Sequence, residues 1–375
     1  MSHLLGIDIG ASSVKVAVLR AAYRKTALVG LALADISEGG PAEAVRAAVA
    51  AALGPKPVID GIAVAVDGIR ASVHALSLPQ SAQRQLAEVL PFELEAQLPF
   101  DLEGAVFDYR VLGPGEPGQI RVLAGVARVD DVRARIDAVR EALAAEPERV
   151  GLGGLVYAQL GPVVPALTEG VVAIVDLGTR MSEVVLLRNG DAAFARTLDF
   201  GTQGLPATAS RLAREIRRTL IAHRTAGGEP PSRLYLCGGG AFVSSAEAFL
   251  SGELEMPVEL LPMPAVDMST LPEGASTTWP RFAKAVALAF GLGRGTGLNL
   301  RRGPLAYERG YAWVRERVPV LAGLGAVILV SLLFSAWARL HHTGKQLDAA
   351  TADFGTVSKE VLGEETTSPE RVTER

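Results

Sequence analysis

Two short stretches of this chain carry residue types and spacings suited to chemistry. "GIDIGASSVKVAVLR", ending at Arg20, and "AIVDLGTRMSEVVLLR", ending at Arg188, align without a gap when Asp8 is set on Asp176. Asp, Gly, Val, Leu and Arg recur at the same offsets. A glycine at a strand–turn–strand corner lacks Cβ, so backbone N–H groups there can approach and donate to a phosphate. Gly10, Ser12 and Ser13 form one candidate cradle with Ala11, and Gly178 and Thr179 form a second with Arg180. Asp8 and Asp176 cannot bind phosphate directly, but they suit a hydrated Mg²⁺ that bridges its oxygens. Lys15 supplies a point charge toward the outer phosphates. Glu183, at the equivalent place in the second copy, either orients water or faces solvent.

A third element is "LCGGGA". Gly238, Gly239 and Gly240 follow an apolar strand, and such glycines let the backbone pass close to a flat base or ribose. A nucleotide would then lie between two lobes, its phosphates on the two hairpins and its adenosine on the glycines. Cys237 just before them reads as a small buried packing residue, and a single cysteine excludes an internal disulfide framework.

Positioning these loops takes an α/β chain. Strands are expected over 4–20, with a turn at "GASS", and over 28–36; a helix over 41–53 follows a Gly-Pro start. Residues 78–145 read as an insertion of helix, two strands and helix. Its first helix is broken at Pro91, and its last carries Val132, Ile136, Val139 and Leu143 on one face. The helix over 205–224 has an apolar stripe and an arginine-rich side read as a solvated face. The expected division is a first lobe 1–77, an inserted subdomain 78–150, a second lobe 151–300, a linker 301–317, an apolar span 318–338 and a tail 339–375.

The span, Val318 to Ala338, has no charge and is long enough to cross a hydrocarbon core. Arg301, Arg302, Arg309, Arg315 and Arg317 precede it, against Arg339 and Lys345 just after, which predicts a cytoplasmic N-terminal head. Trp313 and Trp337 flank the two interfaces. Hydrophobic residues make up 49% and charged ones 21%, with a net charge of −4, which describes a folded chain and gives no electrostatic reason to expect nucleic acid.

With these motifs the chain resembles the actin-like ATPase superfamily. "DIGASSVK", "DLGTRMSE" and "LCGGGA" are similar to its two phosphate motifs and its adenosine motif. "PFELEAQLPFDLEGAVFDYRVLG" resembles the inserted-subdomain signature of the type IV pilus protein PilM, and "GLGRGTGLNLRRGPLAYERG" resembles the stretch that joins head to membrane helix in the secretion protein GspL. The GspL/PilM resemblance covers about residues 3–340 and implies a two-lobed ribonuclease H-like fold with ATP and Mg²⁺ at the motif residues. It also implies a place in a bacterial inner-membrane platform of type II secretion. The head would recruit a GspE-like secretion ATPase, a GspM-like or PilN-like membrane partner would pair with the anchor, and the chain would be a homo-oligomer in a larger complex. The tail is shorter than the periplasmic domain of GspL, so that domain is expected to be cut off or carried elsewhere. A scaffold that does not turn over substrate is the leading expectation. The rivals are a slow ATPase or small-molecule kinase, for which Asp199 is the nearest candidate base, and a filament former.

Overall fold

The fold is taken from a computed structural model. It describes all residues except 1, 23, 24, 56, 295, 296, 308–311, 364, 365, 369 and 371–375. Two compact units divide the chain, residues 1–307 and 308–375.

The first unit opens with β1 (Ser2–Ile9), β2 (Ser13–Ala22) and β3 (Lys25–Asp35), an antiparallel meander joined at the expected turn. Helix α1 (Gly40–Leu53) then crosses over to β4 (Gly61–Val66), which runs parallel to β1. Pro41 at the start of α1 needs no N–H there, and Gly54, at φ +85°, ends the helix in a conformation other residues resist. Every residue of β4 is buried, as expected of a parallel strand covered on both faces.

The insertion consists of β5 (Ala71–Pro79), α2 (Leu86–Glu95), β6 (Ala105–Pro114) and β7 (Gln119–Arg128). Its strands form their own sheet in the order β5-β7-β6, over a separate core that includes Leu78, Leu90 and Val122. Pro91 does not break α2. The ring removes one backbone bond, but Leu86, Leu90 and Leu94 lie one turn apart and are all buried, which holds the helix through it.

The expected boundaries move here. The insert's sheet starts at Ala71 rather than 78. Helix α3 (Val129–Leu143), assigned to the insert from sequence, and strand β8 (Arg149–Leu152), which straddles the expected boundary at 150, belong to the first lobe. Strand β8 extends the first sheet to β3-β2-β1-β4-β8. Val132, Ile136 and Val139 of α3 join the core that holds Val45 and Ala48 of α1. An amphipathic face shows that a helix packs, but not against what.

The second lobe repeats the first. Strands β9 (Val171–Leu177), β10 (Ser182–Arg188) and β11 (Asp191–Leu198) form a second meander. Helix α4 (Ala209–Thr225) leads to β12 (Leu234–Cys237), parallel to β9, and α5 (Ala246–Leu254) leads to β13 (Val258–Leu260). The sheet order β11-β10-β9-β12-β13 matches the first sheet position for position. The buried stripe of α4 includes Leu212, Ile216 and His223, while Arg214, Arg217 and Arg224 are exposed. After the short α6 (Ala275–Thr278), helix α7 (Ala283–Arg294) leaves the second lobe and packs on β1, β2 and β4 of the first. The sequence had placed it wholly in the second lobe.

His223 packs against the Phe194 ring, with 5.7 Å between centroids. Burial lowers its pKa below the ordinary 6.5. A folded pKa below the unfolded one means the unfolded state binds the proton first, so stability falls as pH drops below about 6.5. The urea midpoint of residues 1–307 should therefore decrease between pH 7.5 and 5.5. That decrease should be smaller in His223→Gln, and an equal decrease in the two proteins would refute the assignment.

The second unit contains α8 (Ala312–Leu362), a single 51-residue helix. Its Arg317–Val361 portion is long and apolar enough to cross a membrane, with none of that apolar stretch buried in protein. The tail expected to be only partly helical continues this helix to Leu362. Arg309 and the side chains of Trp313 and Arg315 lie outside the described residues.

Candidate functional site

Hairpin register places the chemistry. On β1 and β2, Asp8 stands directly opposite Lys15, and on β9 and β10, Asp176 stands directly opposite Glu183. Opposed residues of an antiparallel pair share a face. The first hairpin therefore carries an ion pair, with Lys15 Nζ 3.3 Å from Asp8 Oδ2, and the second carries two like charges. Each of those two carboxylates is stabilised separately. Tyr157 Oη donates to Asp176 Oδ2 at 2.7 Å. Glu183 accepts from Lys284 Nζ at 2.8 Å and from the Gly68 N–H at 3.2 Å. Glu183 thus does not face open solvent, and each of its two oxygens already accepts a bond. It is 3% exposed and tied to the first lobe, since Gly68 follows β4 and Lys284 lies on α7.

The two hairpins meet. Ser12 Oγ and Thr179 Oγ1 are 2.9 Å apart, although they come from different sheets. Around this contact lies a cavity of about 280 Å³ whose walls include Asp8, Lys15, Asp176, Glu183, Gly239 and Lys284. Gly10, Ser12, Ser13, Gly178 and Thr179 also line it, so the sequence-predicted residues of both hairpins converge on one cleft.

Burial works against charge throughout this cleft, and the partners outweigh it. Burial raises the Asp8 carboxyl, but Lys15, Lys284 and Arg135 hold it below the usual carboxylate range. Burial lowers the Lys15 ammonium, and Asp8 and Asp176 hold it above its ordinary value. Burial likewise opposes the charge on Lys284, and Glu183, Asp8, Asp176 and Asp67 keep it firmly protonated. Burial pushes the Cys237 thiol and the Tyr157 phenol up, so both remain neutral, and Cys237 is buried as expected.

The cradle differs in detail from the expectation. The N–H of Gly10 donates to Ser13 O at 3.0 Å and that of Gly178 to Met181 O at 3.1 Å. These two glycines close their own turns and have no N–H to spare for a ligand. The N–H groups of Ala11, Ser12, Thr179 and Arg180 have no acceptor among the described residues, and they line the cleft. Arg281 adds a buried Nε without a partner there. These donors, with Lys15, fit a phosphate chain.

The glycines after β12 divide their tasks. Cβ atoms at Gly238 and Gly240 would meet the backbone of Leu177, at 2.8 and 2.9 Å from its carbonyl oxygen, so both serve close packing of the loop on β9. Gly239, open in space, lines the polar cleft. Gly240 lines a second, apolar cavity of about 350 Å³ with Leu177, Leu212 and Phe249, whose walls suit a flat ring. Among the described residues no group of three His, Cys, Asp or Glu could hold a metal. Any Mg²⁺ would be held through water and phosphate oxygens, with Asp8 and Asp176 as outer acceptors.

Sequence reading missed Lys284 and Tyr157. Lys284 did leave a signal. It is the lone charge in "FAKAVALAFGLG", and a charge buried on such a helix must find a partner. Tyr157 left none, because its role depends on the 3₁₀ segment over Gly153–Leu160 lying against β10 and β11.

Residues 6–211 match the family model described as type IV pilus assembly protein PilM. Among solved structures, the PilM-PilN type IV pilus biogenesis complex matches at 23% identity and TM-score 0.64, covering 76% of this chain and 97% of that one. The cytoplasmic domain of EpsL, an inner membrane component of the type II secretion system of Vibrio cholerae, matches at 16% identity and TM-score 0.45, covering 81% and 100%. No curated protein matches by sequence. With two like-ordered sheets closing on one cleft and a family match over more than half its length, this chain belongs to the PilM family of type IV pilus assembly proteins, built on the actin-like ATPase fold.

Proposed function

We propose that the chain is a membrane-anchored platform component of a pilus or type II secretion machine, whose head binds ATP as a conformational ligand. The observation that carries this reading is the meeting of two hairpins from separate sheets at one cleft, bridged by Ser12 and Thr179. A ligand that touches both lobes stabilises the closed arrangement by its differential affinity. ATP would place its phosphates on the free N–H groups of both hairpins and its base in the apolar cavity beside Gly240. When bound, Mg²⁺ would offset charge in a cleft already lined by several carboxylates.

Family membership supports a PilN-like membrane partner, and the apolar helix suits anchoring in the inner membrane with the head in the cytoplasm. The head would present its closed state to the cytoplasmic ATPase of the assembly. Turnover is not part of this reading, in which ATP acts by bridging the lobes.

The test uses the full chain in lipid nanodiscs. Calorimetric titration with Mg-ATP should show binding, and Lys15→Gln should weaken it by about tenfold or more, the loss of one charge-assisted contact. Co-purification of the candidate assembly ATPase should then change with Mg-ATP. Absence of binding in the parent chain would sink the ligand reading, and an ATPase that never co-purifies would sink the coupling.

A further inference from the structure

Between α7 and the second unit the chain runs through "GLNLRR", residues 297–302. A linker that only tethers is built from small polar residues and stays solvated. This one is fastened to the first sheet. Leu300 is fully buried, and its N–H donates to Val150 O at 2.8 Å. Asn299 Oδ1 accepts the Val150 N–H at 3.0 Å, so both backbone groups of this β8 residue are engaged by the linker. Arg149 donates to Gly297 O at 3.0 Å.

The inserted subdomain holds the same segment. Asp108 of β6 is 4% exposed, and one of its oxygens accepts the Asn299 N–H at 2.8 Å while the other lies 2.7 Å from the Arg302 guanidinium. On β7, Gly125 leaves the room that Leu298 fills, since a Cβ there would lie 2.8 Å from Leu298 Cδ1. Two strands of the insert therefore grip the chain that continues into α8. By sequence, Arg301 and Arg302 count among the positive charges ahead of the apolar span. In the fold both are neutralised within the head, Arg301 by Glu146 at 2.9 Å and Arg302 by Asp108. The nucleotide cleft does not explain them either, because no residue of 297–302 lines it. A buried carboxylate is costly to strand, so the packing of the insert depends on where the linker lies, and the reverse.

We infer that residues 297–302 are a strap by which the inserted subdomain grips the chain leading to the anchor, with Asp108 and Arg302 as its clasp. A displacement of the insert is passed along the strap toward α8, and a pull from that side is felt at the insert. Two bonds to one carboxylate give the clasp its direction. The Asn299 N–H fixes the height of the backbone over β6, and the guanidinium, charge-assisted and therefore the stronger contact, keeps the carboxylate ionised in its buried place. Arg302 is the exposed member of the pair, with 58% of its side chain open, so the clasp can be undone from solvent without opening the core.

The inference rests on the membrane-anchored reading for what lies beyond the strap, and the test separates the two. Hydrogen exchange of the full chain in lipid nanodiscs reads both sides of the clasp. Arg302→Gln changes the exposed member only, so folding is not at stake. It should speed exchange of the Asn299 and Leu300 amides by about fivefold or more, and that of the β6 amides around Asp108 with them, while β1 and β2 stay unchanged. Gly125→Ala perturbs from the other side, since its methyl displaces Leu298 without touching Arg302. It too should speed exchange at Asn299 and Leu300 by about fivefold or more. Changes confined to the substituted side in both variants would overturn the strap, and so would parent amides at Asn299 and Leu300 that exchange as fast as an unstructured segment. Alkaline extraction of the full chain from native membranes reports on the anchor independently. A chain that is released while its strap amides respond as expected fails the anchoring reading alone. A chain that stays but whose linker and insert exchange independently fails the strap alone.

Discussion

Lys284→Met is expected to lower the unfolding free energy of residues 1–307 by about 3–5 kcal/mol, the usual consequence of leaving one member of a buried ion pair behind. Glu183 would keep its place at 3% exposure, facing Asp176, without the ammonium that balances it. The Gly68 N–H would remain as its one donor, too little to solvate a carboxylate. Most of the loss is therefore the penalty on the stranded charge. The double variant Lys284→Met/Glu183→Gln checks this, since the amide oxygen still accepts from Gly68 and no net charge stays buried. It should recover more than half of the lost stability in urea denaturation. A single variant within about 1 kcal/mol of the parent would show that the pair is not buried in solution.

Gly6→Ala is expected to cost about 3 kcal/mol, the upper end of the range for overpacking. Strand preference alone argues the other way, because alanine is favoured over glycine in an ordinary strand interior by roughly 0.5–1 kcal/mol. Local geometry decides. The added Cβ would overlap the carbonyl of Ala285 and lie 2.6 Å from the Ala289 nitrogen, both main-chain atoms of α7 that cannot rotate away. Helix α7 would have to lift off β1 and take Lys284 with it, so this variant should also weaken the tie to Glu183. Gly252→Ala is the control, in the interior of α5 with open space around its Cβ position, and it should stabilise by about 0.5–1 kcal/mol. Two thermal melts with shifts of opposite sign would confirm the pair of predictions. Destabilisation at both sites would show that glycine content, and not the approach of α7, sets the effect.

Much of the head was legible because it is written locally. The paired hairpins follow from runs of β-forming residues around Asp-x-Gly turns, and the register that sets Asp8 against Lys15 follows from a short turn that leaves little freedom. Convergence of the two hairpins was an inference from repetition, and the Ser12–Thr179 contact bears it out. The insert was misjudged at both ends, because the apolar face of α3 fits any core and found that of α1.

The sequence by itself determined the two hairpins, the glycine-ended strand, the apolar span and the buried thiol, since each depends on residues close together along the chain. Only the tertiary structure decided that α7 returns to the first lobe, that Lys284 from that helix neutralises Glu183, and that Tyr157 holds Asp176. The carboxylates opposed on β9 and β10 explain the difference. Their repulsion can be read from the pairing, but the charge and the hydroxyl that offset it come from segments distant in sequence, and only packing brings them to the same place.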